Sequence, residues 1–113
     1  RQDDRAAITV RQLLTLTSGI RTDDVRGQLA TYADAIRLPL DTLPGQRFRY
    51  GGNPFQIFGE IVQRKLTQDA DPLAYLDRRV LRPAGVDFGA WRTGLDGMPR
   101  LASGARMMAG SWA

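Results

Sequence analysis

The 113 residues contain no cysteine and no histidine. The first absence excludes disulfides and thiolate chemistry. The second removes the commonest general base and the commonest metal ligand. Lysine occurs once, at Lys65, among 16 basic residues. Acid–base chemistry is left to carboxylates, to Lys65 and to three phenols, Tyr32, Tyr50 and Tyr75. No apolar run is long enough to cross a bilayer, and the start shows no signal-peptide pattern. Repeats, low-complexity tracts and Gly/Ser linkers are missing too. The formal charge of +4 divides evenly, with 8 basic and 6 acidic groups in residues 1–50 and the same in 51–113. A nucleic-acid-binding module would gather its basic residues on one face or arm. The pI of about 10.3 therefore reflects arginine usage and points to no nucleic-acid partner.

With 42% apolar and 25% charged residues, the composition is that of a folded chain. The pattern is one of short helices between turns. "ITVRQLLTLTSGI" offers Thr9 as an N-cap and Gln12 three residues on, a capping box, with Gly19 as the stop. A second helix is expected from Thr22–Asp23–Asp24, where acidic side chains suit the positive helix start. Val25, Leu29, Tyr32, Ala33 and Ile36 then recur at helical spacing until Pro39. Pro44-Gly45 marks a turn. Asn53 is expected to cap a third helix, with Pro54 at its first position, Gln56 reaching back, and Phe55, Phe58, Ile61, Val62 and Leu66 on the buried face. Asp71-Pro72 opens a fourth, burying Leu73, Leu76, Val80 and Leu81 before Pro83. A last helix is expected from about Leu101, after the irregular "AGVDFGAWRTGLDGMP". No segment reads as a run of strands. Because the chain opens on Arg1 and stops in a helical pattern, residues 1–113 are expected to be one segment of a longer protein.

Three stretches in order, "ITVRQLLTLTSGI", "LPGQRFRYGGNPFQIFGEIVQR" and "YLDRRVLRPAGV", resemble the serine beta-lactamase-like hydrolases, and "MPRLASGARMMAGSWA" resembles the helix that follows them. That family includes class C beta-lactamases, D-alanyl-D-alanine carboxypeptidases and related esterases. The resemblance implies a two-part α+β enzyme whose active site lies between a helical region and an antiparallel sheet. It also implies a nucleophilic serine in a Ser-x-x-Lys motif, a tyrosine in a Tyr-x-Asn motif and a Lys-Thr-Gly-like strand. The chain is then mainly α, the helical portion, with the sheet largely outside it. Ser18, Ser103 and Ser111 all lack a lysine three residues later; Ser18 and Ser103 have Arg21 and Arg106 there. Arginine stays protonated and cannot accept the serine proton, so no nucleophile is assigned. Ser18 reads as a turn hydroxyl.

The resemblance places Tyr50 on the motif tyrosine, which relays protons to and from the serine and the leaving group. A free phenol ionises at about pH 10, so the role requires positive charge nearby. The helix start after Tyr50 is one source, and a lysine outside the chain the larger. The competing reading is an ordinary ring packed under a turn. The motif asparagine falls on Gly52, with Asn53 one residue late. Gly51, Gly52 and Asn53 are candidate substrate-binding residues; the glycines fit either close substrate approach through unusual backbone angles or a plain tight turn. Leu16 stands where relatives often have histidine and is expected to brace the Thr17–Ser18–Gly19 loop. Trp91 and Trp112 are expected to pack in cores, and Arg78, Arg79 and Arg82 to form a solvated face.

The function this implies is acyl-enzyme formation on an ester, a D-amino-acid peptide or a beta-lactam, with lactam last because Gly52 has no amide. The alternative is a catalytically inactive relative that binds peptides or cell-wall ligands. No metal or organic cofactor is implied. The expected partners are a small-molecule or peptide substrate and the remainder of the parent domain. The compartment is left open, the resemblance and the absence of cysteine being compatible with an extracytoplasmic site, and the chain alone is expected to be inactive.

Overall fold

The computed structural model describes residues 3–24 and 27–107. A 3-10 turn at Asp4–Ala7 leads to α1 (Val10–Leu14), α2 (Tyr32–Ala35), α3 (Asn53–Lys65) and α4 (Pro72–Leu76). α4 runs on into a π-helical turn, Asp77–Leu81, followed by β1 (Phe88–Trp91) and β2 (Ala105–Met107).

The start of α1 matches its sequence signature. The Thr9 hydroxyl accepts the Gln12 N–H at 3.2 Å, and the Gln12 side chain accepts the Thr9 N–H at 3.0 Å. The helix stops earlier than Gly19, because Leu16 takes φ 61° and turns the chain. A left-handed backbone costs an L-residue about 1–2 kcal/mol. Burial of the Leu16 side chain and a 2.9 Å bond from the Arg49 N–H to the Leu16 carbonyl offset that cost. Gly19 is left-handed too, with φ 83°, and a Cβ there would strike the Thr42 carbonyl. That contact lets Ile20 bridge Leu40 in antiparallel fashion. Ile20, Ala30, Ala35 and Leu38 form the core, with Ile8, Leu40 and Ile57 packed against it.

The long second helix does not form. Thr22–Asp24 is not helical, and α2 begins only after Thr31, whose hydroxyl accepts the Asp34 N–H at 3.2 Å. The reason lies in α3. Asn53 accepts the Ala30 N–H at 3.1 Å and donates to the Asp23 carbonyl at 2.9 Å and the Arg21 carbonyl at 3.4 Å. Gln56 donates to the Ala30 carbonyl at 2.9 Å. These two amides act as a backbone partner for segment 21–30, and groups so engaged are withheld from helix formation.

The same bonds correct two expectations for α3. Gly52, with no side-chain cap, takes the N-cap position, and Asn53 is the first helical residue. Gln56 does not reach back. The most buried positions of α3 are Asn53, Pro54, Gln56 and Gly59, while Phe55, Phe58, Ile61, Val62 and Leu66 are only half-buried. Gly59 admits the ring of Tyr32, since a Cβ would come within 2.5 Å of its Cζ. α4 is capped as read, Asp71 accepting the Ala74 N–H at 2.9 Å, but Val80 stays exposed.

The largest departure is at the end. Leu101–Ser103 forms a turn, and β2 pairs antiparallel with β1 through Ala90↔Arg106 and Trp91↔Ala105. The Arg100 carbonyl accepts both the Trp91 indole N–H at 2.9 Å and the Gly104 N–H at 3.0 Å, which closes the turn. Trp91 is half-buried and meets Phe88 edge-on; Trp112 lies outside the described residues.

Candidate active site

Tyr50 projects from a loop fastened on both sides. Before it, the Gly45 N–H donates to the Thr17 carbonyl at 2.8 Å and the Arg49 N–H to Leu16. Arg21 and Arg49 converge on Asp41, at 3.2 and 3.9 Å. After it, Gly51 lies against the Thr22 backbone, where a Cβ would be 2.7 Å from the carbonyl oxygen. Gly52 lies against Leu29 and Ala102, where a Cβ would meet carbons at 2.6 and 3.3 Å. Fixed neighbours leave the Tyr50 ring facing out, 85% exposed. The reading of Tyr50 as a ring buried under a turn is overturned.

Tyr50, Gly51, Gly52 and Phe55 line a cavity of about 450 Å³. Thr93, Gly94, Leu95, Arg100, Ala102 and Ser103, with Asp24, Gln28 and Leu29, line the same cavity. Sequence reading did not connect residues 93–103 with Tyr50. A larger cavity of about 600 Å³, between the 3-10 turn and residues 39–43, offers Asp3, Arg5 and Asp41 but no phenol. The chemistry therefore points to the cavity beside Tyr50.

The three phenols have separate fates. Tyr32 is 2% exposed and donates to the Pro99 carbonyl at 2.6 Å. Desolvation, then the negative charges of Asp96, Asp71 and Glu60, push it well above the usual phenol range. Tyr75 is half-buried, with the Arg78 and Arg79 guanidiniums 5.8 and 5.7 Å from its ring centre. Arg78 also pairs with Asp69 at 2.8 Å, which lowers that carboxyl's pKa. Only Tyr50 faces the cavity.

The other candidates sort by burial. Gly51 and Gly52 line the cavity, yet neither has a positive φ, so the expectation of unusual backbone angles is corrected. Close packing against Thr22, Leu29 and Ala102 is what requires glycine there. Asn53 is 0% exposed and both ends of its amide are engaged, so it is not a surface a substrate meets. Ser18 is buried and accepts the Ile20 N–H at 3.3 Å, a turn hydroxyl as read. Among the described residues no cluster of His, Cys, Asp or Glu is arranged to hold a metal ion, and no helix is long and apolar enough to cross a membrane.

The site therefore presents an accessible phenol beside a cavity, in a chain without histidine or cysteine. The family model described as Beta-lactamase matches residues 1–112, and the chain belongs to the beta-lactamase family. Searches of the curated proteins and of the solved structures return no match. Among the described residues, four α-helices and a two-stranded sheet are consistent with a portion of that fold.

Proposed function

We propose that the chain supplies the catalytic tyrosine loop of a serine hydrolase, with Tyr50 as the proton-relaying group. The observation that carries this is the 85% exposure of Tyr50 over the cavity while its neighbours on both sides are pinned. A serine from sequence outside residues 1–113 attacks the acyl carbon and its proton passes to the Tyr50 phenolate. Collapse of the tetrahedral intermediate breaks the bond to the leaving group, which takes the proton back from Tyr50. Water then attacks the acyl-enzyme, with Tyr50 again accepting and returning a proton. Esters and D-amino-acid peptides rank above beta-lactams as substrates. Gly52 has no amide, and the amide of Asn53 is committed to Ala30 and Asp23.

The test is intact-protein mass spectrometry of the full-length protein after exposure to a fluorophosphonate probe, with and without Tyr50→Phe. A single adduct on a serine outside residues 1–113, formed at least about 100-fold more slowly in the variant, is expected. A folded protein that takes no adduct would instead be an inactive binding relative. An equally fast adduct in both forms would remove Tyr50 from the chemistry.

A further inference from the structure

The lining of the Tyr50 cavity includes a cation that the proposed reaction does not use. Arg100 lines the cavity, and its Nε is buried without a hydrogen-bond partner. Among the described residues its guanidinium makes no ion pair. Asp24 lines the same cavity, yet the two do not pair. A buried N–H on a charged group carries a desolvation cost that a partner normally offsets.

The backbone of Arg100 is anchored. Its N–H donates to the Arg92 carbonyl at 2.9 Å, and its own carbonyl takes the Trp91 and Gly104 N–H groups. The preceding Pro99 is held through its carbonyl by the Tyr32 hydroxyl. Asp96 holds the turn from the other side, accepting the Tyr32 N–H at 3.1 Å and the Met98 N–H at 3.0 Å. Ala102, two residues beyond, is the carbon against which Gly52 packs. The backbone bearing Arg100 is thus fixed relative to the segment bearing Tyr50, and an unpaired cation whose backbone is already ordered has less freedom to lose when it takes an anion.

We propose that Arg100 is a specificity-determining residue, its guanidinium taking a carboxylate on the substrate while Leu29, Phe55 and Leu95 contact the apolar part. A planar guanidinium matches a carboxylate through paired N–H donors. Leu95 is 81% exposed in the same cavity lining, an apolar surface that a bound acyl chain would cover. This inference rests on the hydrolase reading above and names its substrate class as acyl compounds bearing a negative charge.

The experiment compares two p-nitrophenyl esters of matched length, the anionic hemisuccinate and the neutral butyrate, on the full-length protein. Arg100→Gln is expected to lower kcat/KM for the hemisuccinate about 10- to 100-fold, the usual weight of a hydrogen bond to a charged group. For the butyrate the change should stay within about threefold. Arg100→Lys should recover part of the hemisuccinate activity, since it keeps the charge and loses the fork. Equal losses on both esters, or no loss on either, would overturn the proposal. If the wild type cleaves neither ester and takes no fluorophosphonate adduct, the hydrolase reading fails by itself. Arg100 is then judged by calorimetric binding of monomethyl succinate. Binding that Arg100→Gln abolishes sustains the anion site, and absence of binding to the wild type ends it.

Discussion

Replacing Asn53 with alanine deletes the side chain that joins α3 to segment 21–30, and its consequence can be worked from the contacts. Ala30 is buried, so its N–H loses the Asn53 oxygen at 3.1 Å and has no water to replace it. A buried donor left unmade costs about 1–3 kcal/mol. The Asp23 carbonyl, on an exposed residue, loses its 2.9 Å donor but can turn to solvent, adding about 1 kcal/mol at most. The Ala30 carbonyl keeps Gln56. The total is about 1–4 kcal/mol, large against ordinary domain stability. Urea unfolding of the full-length protein at unchanged m-value is the assay. Asn53→Asp should be no better, because it keeps the oxygen for Ala30 but turns an acceptor toward the Asp23 and Arg21 carbonyls. A loss below about 0.5 kcal/mol for Asn53→Ala, the scale of an ordinary surface substitution, would refute the reasoning. Unchanged stability with lost turnover would return Asn53 to the substrate.

Gly51→Ala would press a methyl into the Thr22 backbone at 2.7 Å from its oxygen, so the loop must shift. The expected cost is about 1–3 kcal/mol, with slower fluorophosphonate labelling because Tyr50 is the adjacent residue. The fold favours the protonated Tyr32 phenol over its usual pKa of 10.0. Its contribution is therefore whole below about pH 10 and is lost as the pH rises further, because the unfolded chain ionises first. Stability measured at about pH 9 and about pH 11 should fall less steeply in Tyr32→Phe than in the wild type. Thr9→Ala removes the capping-box acceptor and should cost about 1 kcal/mol by thermal unfolding.

Local signals survived folding where the residues involved are neighbours. The Thr9–Gln12 box and the Asp71 cap each need only four consecutive residues, so the chain states them outright. α2 failed because its pattern of Leu29, Tyr32 and Ile36 describes burial, and burial is served here by a different backbone. The deciding partners, Asn53 and Gln56, lie more than twenty residues away. A clue was present in the sequence: two amides spaced i and i+3 sit on what became the most buried face of α3. The turn at Leu101–Ser103 and the β1–β2 pairing depend on Trp91 reaching the Arg100 carbonyl, a contact that helical periodicity does not encode. Tyr50 could be nominated from the sequence because its motif is contiguous, and its exposure is what the structure adds. Arg100 could not, because its place beside Tyr50 comes from tertiary packing.

The placement of Tyr50 and the identity of its neighbours are one physical problem. An exposed aromatic ring gains little from burial, so its direction must be set by the backbone on either side. Arg49 supplies one restraint through the Leu16 carbonyl, which is available because Leu16 is left-handed. Gly51 supplies the other, lying closer to Thr22 than any Cβ would allow. Thr22 in turn lies between Arg21 and Asp23, whose carbonyls both accept from the Asn53 amide, so its backbone is fixed outside the helix its pattern suggests. The buried amides of α3 therefore act on the Tyr50 loop by fixing the backbone against which it rests. On this account the asparagine one residue late in the motif has a positioning role, and the two glycines before it are the shape that role requires.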